Sequence, residues 1–230
     1  MQIIAIRTSR FKPGQDLFAF IRQYVAHFQE GDIVVVTSKI AALAENRIRP
    51  LDPATKRQII LGESDEQIET PWCLLTRRGT DWSANAGVDE SNAEGNLILL
   101  PQNAEVTAKE LRARLMHENK LHSLGVILTD TRIRPLQQGT LGIALGWAGL
   151  DPIKDYVGTP DLDGRLLKMT KANVIHALAA AAVLEMGEGA ESQPLAIISG
   201  SSVQFNEVSG SCADLTVSPQ EDLYKYLYRA

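Results

Sequence analysis

The sequence has little cysteine, no long apolar run and no excess of positive charge. Its two cysteines, Cys73 and Cys212, form no CxxC pair among the 230 residues, which argues against a disulfide scaffold and a zinc ribbon. The longest apolar run, residues 177–184, is too short to cross a bilayer, and the first residues lack the pattern of a secretory signal. The net charge of −5 argues against a nucleic-acid-binding surface. We therefore expect a cytoplasmic protein with neither a membrane nor a nucleic acid as partner.

Several catalytic motifs are also missing. The chain contains no GxSxG, HExxH, GxGxxG or GxxxxGK[ST] pattern, which argues against the hydrolase, metalloprotease, dinucleotide-binding and P-loop classes that use them. The four histidines fall in helical patterns and share no metal-ligand spacing. We interpret each as a helix-face or core residue: His27, His117, His122 and His176.

The apolar patterning predicts a mixed α/β or α+β fold, organised as a single domain over residues 1–230. Hydrophobic residues make up 44% and charged residues 22%, which is typical of a globular protein. Short β-branched runs predict strands at residues 3–6, 33–36, 73–75, 97–100, 126–128 and 195–198. Amphipathic spacing and capping patterns predict helices at residues 16–28, 107–122 and 170–186, with a short one beginning at Ser218. Residues 77–95 and 132–164 are predicted to be long loops that contact ligand.

Three polar groupings are candidates for chemistry. Asp89 and Asn92 lie three residues apart in a turn, where they either bind a ligand or cap their own backbone in an Asx-turn. Asp130 and Thr131 follow a buried strand, at the position where open sheets bind ligands and where oxygen atoms suit a divalent cation. The alternative is a carboxylate that caps the next turn. Glu188, just past a helix, either completes such an oxygen set or belongs to a solvated acidic loop.

A fourth grouping is basic. Lys39 closes a buried strand, and a lysine there is able to meet a phosphate as a point charge. Several arginines accompany it in the sequence: Arg47, Arg77, Arg78, Arg132 and Arg134. The alternative interpretation for these arginines is surface salt bridging, which stabilises a protein by about 0–1 kcal/mol per pair.

These pieces occur together, in order, in one known family: the chain resembles the coenzyme F420-0:L-glutamate ligases, the gamma-glutamyl ligases of deazaflavin biosynthesis. The resemblance covers roughly residues 1–200, and ANAGVDESN (84–92) is its most specific piece. Further matching stretches are GDIVVVTSKI (31–40), LILLP (97–101), GVILTDT (125–131), GIALGWAGLDP (142–152), MGEG (186–189) and PLAIISG (194–200). The resemblance implies the coenzyme F420:glutamate ligase-like fold and an intertwined homodimer.

The resemblance also implies a mechanism. Such ligases use GTP and a divalent metal, Mn²⁺ or Mg²⁺, to activate a carboxylate of the deazaflavin precursor as an acyl phosphate, which the amine of L-glutamate then attacks; K⁺ is a further candidate ion. Carried over position by position, the implied metal ligands are Asp89, Asp130, Thr131 and Glu188, and the implied catalytic residues are Asp130 and Lys39. The implied nucleotide contacts are Thr8, Ser9, Arg10, Phe11, Ser38, Lys39, Asn92, Met186, Gly187, Gly189, Ala190, Glu191, Ser192 and Gln193.

The chain departs from the family pattern at three places. Ala42 and Leu43 stand where the family has a serine–lysine pair, so a cation expected near phosphate is replaced by an apolar side chain. Residues 78–82 and 132–137 also differ from the usual runs. Three hypotheses therefore stay open: a glutamate ligase acting on coenzyme F420-0 or a related phosphorylated carboxylate, a ligase of the same chemistry with a different acceptor, and a non-catalytic protein that binds a nucleotide or a deazaflavin.

Overall fold

The computed structural model describes residues 1–79, 81–218 and 220–226. Within them the strands are β1 (Gln2–Ile6), β2 (Asp32–Thr37), β3 (Ile48–Pro50), β4 (Glu66–Glu69), β5 (Leu74–Arg78), β6 (Asp81–Ala84), β7 (Asn96–Ile98), β8 (Leu124–Ile133), β9 (Thr140–Leu150), β10 (Ile153–Asp155), β11 (Lys171–Asn173), β12 (Leu195–Ser199) and β13 (Phe205–Ser211). The helices are α1 (Leu17–Tyr24), α2 (Ser38–Ala44), α3 (Pro53–Gly62), α4 (Ala104–Asn119) and α5 (Val174–Met186). None of the helices in these ranges is both long and apolar enough to span a bilayer.

A six-stranded sheet in the order β1-β12-β2-β8-β9-β13 forms the centre of the fold. Its neighbouring strands are antiparallel except β2 and β8, which are parallel and pair Thr37 with Thr129. Both faces of the sheet are covered: α1, α2 and α4 pack on one face, and α5 packs on the other. Because both faces are buried, β2 is a continuous run of β-branched residues rather than an alternating one. The mixed α/β or α+β class expected from the sequence is confirmed, while the specific ligase-like fold and the homodimer stay predictions.

Three smaller sheets accompany the main sheet. Strands β4, β5 and β6 form an antiparallel meander, while β3 pairs with β7 and β10 pairs with β11. A separate cluster of buried apolar side chains lies under the meander and includes Ile60 of α3, Leu74 of β5 and Leu97 of β7. The chain segment that begins at Asn85 is held against β5, where Asn85 Oδ1 accepts from the Leu74 N–H, and against β7, where Asp89 pairs with Ile98.

The predicted strands at residues 3–6, 33–36, 126–128 and 195–198 are confirmed in β1, β2, β8 and β12. The predicted loops are wrong, because residues 77–95 include β6 and residues 132–164 include β9 and β10. The glycines of β9 made residues 140–150 look like a loop in the sequence. These glycines are required because the helices pack closely against the strand. A Cβ atom at Gly146 would lie 2.5 Å from the backbone carbon of Ala104 in α4, and one at Gly142 would lie 2.8 Å from the carbonyl oxygen of Ala179 in α5.

The helix boundaries also need correction. α1 ends at Tyr24 rather than at residue 28, although Asp16 caps it as its pattern predicts. α4 begins three residues before Thr107 and α5 begins four residues after Thr170, since Asn103 and Asn173 accept the capping hydrogen bonds instead.

Two further expectations concern segments outside these helices. His27 and His122 lie beyond the ends of α1 and α4, so neither is a helix-face residue. The helix predicted from Ser218 falls partly on residues outside the described ranges, and residues 220–226 form turns.

Candidate functional site

A cavity of about 340 Å³ opens where the parallel pairing of β2 with β8 ends, at Thr37 and Thr129. Asp130 and Thr131 lie within β8 rather than after it, so the expectation that they follow the strand is wrong. Parallel strands present their carboxyl ends at the same edge of a sheet, which is where open sheets bind ligands. The turn after β1, the start of α2, the loop before β7, the end of β8 and the loop after α5 enclose the cavity.

The cavity gathers all of the residues that the sequence singled out by resemblance. Its walls include Thr8, Ser9, Arg10, Phe11, Ser38, Lys39, Asp89, Asn92, Asp130, Thr131, Met186, Gly187, Glu188, Gly189, Ala190, Glu191, Ser192 and Gln193. Their roles as ligands of a nucleotide or a metal stay predictions.

Lys39 and Asp89 form an ion pair inside this cavity. Lys39 is the second residue of α2, which begins directly after β2, so its side chain lies beside the strand end. Its Nζ atom lies 2.6 Å from Asp89 Oδ2 and donates to the carbonyl oxygen and hydroxyl of Ser91, at 3.0 Å and 2.9 Å. Burial raises the pKa of Asp89, but hydrogen bonds from Lys39 and Ser91 outweigh burial and hold that pKa below its ordinary value. Asp89 is therefore a carboxylate at neutral pH.

Asp130 lies near the end of β8 and is bound by Arg132. The Arg132 side chain is only 5% exposed, and its Nη1 donates to Asp130 Oδ2, while its Nε and Nη2 donate to Asp81 Oδ2 at 3.0 Å and 2.9 Å. Surface salt bridging, the alternative interpretation for the arginines, is therefore wrong for Arg132. Asp81 was not predicted, and its only signal in the sequence is that it lies in one of the segments that depart from the family pattern.

The other arginines singled out in the sequence lie outside the cavity walls. Arg47 donates to Glu63 at 2.7 Å and to the carbonyl oxygen of Leu100, and Arg77 donates to Glu66 at 2.9 Å. Arg78 lies 3.6 Å from Glu63. For these three arginines the salt-bridge interpretation is confirmed.

The loop after α5 contributes backbone groups and one carboxylate to the cavity. Gly187 ends α5 with φ of 80°, and Glu191 folds back so that its Oε2 accepts from the Gly189 N–H at 2.8 Å. The Glu188 carboxylate has no hydrogen-bond or ion-pair partner among the described residues. Dehydration of this carboxylate and the negative charge of Asp130 raise its pKa. Asp89, Asp130 and Glu191 each have a partner, so Glu188 is the acidic side chain of the cavity walls whose negative charge is left uncompensated by a contact among the described residues.

The oxygen atoms of Asp89, Asp130, Thr131 and Glu188 fit a hard divalent cation by type. Their present positions do not form a complete binding shell: within the described ranges, no three acidic, histidine or cysteine side chains are grouped closely enough to hold one ion. Lys39 binds Asp89 Oδ2 and Arg132 binds Asp130 Oδ2. A cation that took Asp89 as a ligand would therefore have to displace the Lys39 ammonium, whereas Asp130 Oδ1 accepts no hydrogen bond among the described residues.

Comparison with known proteins identifies the class and then the family. The model of the F420-0:Gamma-glutamyl ligase family matches residues 5–200, and the chain belongs to this family of ligases. A coenzyme F420:L-glutamate ligase of Archaeoglobus fulgidus is 35% identical over 233 aligned residues, which cover 93% of this chain and 92% of the relative. The enzyme of the same name from Methanopyrus kandleri is 34% identical, with 94% of each chain covered. The one from Methanothermobacter thermautotrophicus is 38% identical over 192 residues, covering 74% of this chain and 75% of the relative.

Proposed function

We propose that the chain is a GTP- and divalent-metal-dependent amide ligase that adds L-glutamate to coenzyme F420-0 or to a related phosphorylated carboxylate. The observation that carries this proposal is the meeting of Lys39, Asp89, Asp130 and Glu188 in one cavity at the end of two parallel strands. Its support from outside the structure is membership of the family and the names of the relatives.

Different residues of the cavity would contact the metal ion, the phosphate groups and the rest of the nucleotide. Asp89, Asp130, Thr131 and Glu188 would hold the divalent cation, Mn²⁺ or Mg²⁺, which would neutralise phosphate charge. Lys39 supplies a point charge to the phosphate oxygens. The loop after α5 follows the nucleotide with its backbone, and its Ser192 carbonyl oxygen accepts from the Thr8 N–H at 2.9 Å. That hydrogen bond joins the two segments assigned to the nucleotide.

The proposed chemistry has two steps. A carboxylate oxygen of the acceptor attacks the γ-phosphorus of GTP, and GDP leaves, which produces an acyl phosphate. The amine of L-glutamate then attacks the acyl carbon, an amide bond forms, and inorganic phosphate leaves. The cavity would serve the first step by holding the nucleotide and the acceptor in line and by placing the Lys39 ammonium beside the transferred group.

The direct test is product formation. The native chain, incubated with coenzyme F420-0, L-glutamate, GTP and Mn²⁺, is expected to give an acceptor one glutamyl unit heavier, together with equal amounts of GDP and phosphate, by mass spectrometry. Parallel reactions with ATP, Mg²⁺ and added K⁺ assign the nucleotide and the ions. Asp130→Asn is expected to abolish turnover while the folded chain keeps its circular dichroism spectrum. Wild-type rates in this variant would contradict the assignment of Asp130.

A different acceptor is favoured by one observation. Leu43 is buried and lies in the cavity wall, so an apolar side chain contacts ligand space where the family pattern has a lysine. Under this alternative, GTP turnover appears with another amino acid or another carboxylate and not with L-glutamate and coenzyme F420-0. If GDP with Mn²⁺ raises the melting temperature but no acceptor releases phosphate, the chain is instead a non-catalytic nucleotide-binding protein.

A further inference from the structure

Arg132 joins the main sheet, which borders the cavity, to the three-stranded meander. It lies on β8 of the main sheet, and its partner Asp81 is the first residue of β6 in the three-stranded meander. Four hydrogen bonds hold the guanidinium: two to Asp81 Oδ2, one to Asp130 Oδ2 and one to the Thr131 carbonyl oxygen at 2.8 Å. A planar guanidinium held at this many points has one orientation, which a lysine ammonium does not reproduce.

Because the Arg132 guanidinium is buried, its charge has to be compensated by both of its carboxylate partners. An arginine that is 5% exposed is costly to bury unless carboxylates compensate it, and Asp130 and Asp81 both do so. The attraction of these two carboxylates outweighs burial and raises the pKa of Arg132, so the guanidinium stays charged. The arrangement occupies Asp130 Oδ2 and leaves Asp130 Oδ1 without a hydrogen-bond partner among the described residues.

We propose that Arg132 and Asp81 are positioning residues that fix the Asp130 carboxylate so that its Oδ1 atom is presented to a divalent cation in the cavity. Asp81 does not line the cavity, and it acts on Asp130 only through Arg132. This inference rests on the proposed function, in which Asp130 is a metal ligand. Groups that orient a metal ligand are worth about 10–100-fold in metal affinity or activity in other proteins.

The test measures the affinity for Mn²⁺ in the presence of GDP, with free Mn²⁺ followed by electron paramagnetic resonance. Asp81→Asn, which removes one charge outside the cavity, is expected to weaken Mn²⁺ binding about tenfold, at the lower end of that range. Arg132→Lys keeps the positive charge but loses the planar contacts, and it is expected to weaken binding to a similar extent. Both substitutions act through the contact of Arg132 with Asp130, so the double variant is expected to bind Mn²⁺ no more weakly than Arg132→Lys alone.

The matched control is another buried arginine with a carboxylate partner. Arg112 donates to both carboxylate oxygens of Glu207, at 2.7 Å and 2.8 Å, and neither residue lines the cavity. Glu207→Gln is expected to lower the melting temperature and to leave the Mn²⁺ affinity unchanged. A purely structural role for Arg132 and Asp81 would produce the same pattern in their variants.

The outcomes separate the inference from the proposed function. If Asp130→Asn weakens Mn²⁺ binding while Asp81→Asn and Arg132→Lys leave it unchanged, the positioning role is overturned and the metal site stands. If Asp130→Asn leaves the affinity unchanged, the metal assignment and the inference both fail. If Arg132→Lys does not fold, Asp81→Asn decides alone, since an isosteric change at a partly exposed side chain is mild. Tighter Mn²⁺ binding in Asp81→Asn would also overturn the positioning role.

Discussion

Lys39 carries the positive charge that offsets the acidic side chains of the cavity. Its Nζ atom lies 2.6 Å from Asp89 Oδ2. The negative charges of Asp130 and Asp89 raise the pKa of Glu188, and the positive charge of Lys39 lowers it. Under the proposed function, Asp89 would hold a divalent cation, and the Lys39 ammonium would then pair with phosphate oxygens instead of Asp89.

Cys212 provides a residue-scale prediction that depends on pH. Its Sγ atom donates to the Ala144 carbonyl oxygen at 2.7 Å, and burial together with the charge of Asp81 raises the pKa of the thiol from 9.0 to about 12. At pH 8 we expect iodoacetamide to alkylate Cys212 about a thousandfold more slowly in the folded chain than in urea, since the thiolate is the reacting form. Peptide mass spectrometry follows Cys212 and Cys73 separately.

The sign of the linked stability effect follows from the same shift. Well below pH 9.0 the thiol is almost wholly neutral in both the folded and the unfolded chain, so its contribution to stability does not change with pH there. Between pH 9.0 and about 12 only the unfolded chain ionises, so the free energy of unfolding falls as the pH rises. Equal alkylation rates in the folded chain and in urea would contradict the burial of this thiol.

At the scale of elements, the sequence predicts which segments form helices better than where they begin. Thr107 heads a plausible capping box, yet its hydroxyl donates to Glu45, and Asn103 caps α4 three residues earlier. Asn173 likewise displaces Thr170 as the cap of α5. Several polar residues near one helix end satisfy the same local rule, and contacts distant in sequence decide among them.

Strand β9 shows why glycine misleads a reading of local patterns. Three glycines in eleven residues indicate a loop by composition, but each lies where a neighbouring element approaches the strand. Gly149 is restricted to glycine for two reasons: its φ is 85°, and an added Cβ atom would lie 2.4 Å from the Leu124 carbonyl oxygen. The reason for these glycines is therefore tertiary and is not present in the local sequence.

Gly146→Ala tests this close packing. The added Cβ atom would lie 2.5 Å from the Ala104 backbone carbon and 2.6 Å from the Glu105 nitrogen, so α4 has to move away from β9. We expect the free energy of unfolding to fall by about 1–3 kcal/mol, measured by urea denaturation. The control is Gly62→Ala at the end of α3, where nothing lies within 4 Å, and it is expected to be neutral or slightly stabilising. Equal effects of the two changes would contradict the packing argument.

At the scale of the whole molecule, the location of the site was predictable and its internal pairing was not. The segments around Thr8, Lys39, Asp89, Asp130 and Glu188 are far apart in the sequence, and only the resemblance to the family indicated that they meet. Partners of charged side chains depend on distances of a few ångströms, which no spacing rule fixes. Arg132 was therefore open to interpretation as a surface residue until the fold placed Asp81 beside it.

Association of two chains is a prediction at this scale. Several apolar side chains between β10 and β11 are exposed, and Leu162, Leu166 and Met169 present 106%, 62% and 81% of their surfaces to solvent. Monomeric proteins rarely expose large apolar patches, and an exposed apolar patch often marks an interaction site. We expect sedimentation equilibrium to give twice the mass of the chain, and Leu162→Glu with Met169→Glu to shift it toward one chain. A monomer at all concentrations would contradict the proposed homodimer.

The most direct test of the account is whether GDP binding depends on a divalent cation held by Asp130. Isothermal titration of the native chain with GDP is expected to show binding with Mn²⁺ that is lost with EDTA and lost in Asp130→Asn. The same dependence is expected in melting experiments, where a hundredfold excess of ligand over Kd stabilises the folded chain by about 2.7 kcal/mol. GDP binding that is unchanged by EDTA and by Asp130→Asn would contradict a cavity built to hold a cation beneath a nucleotide.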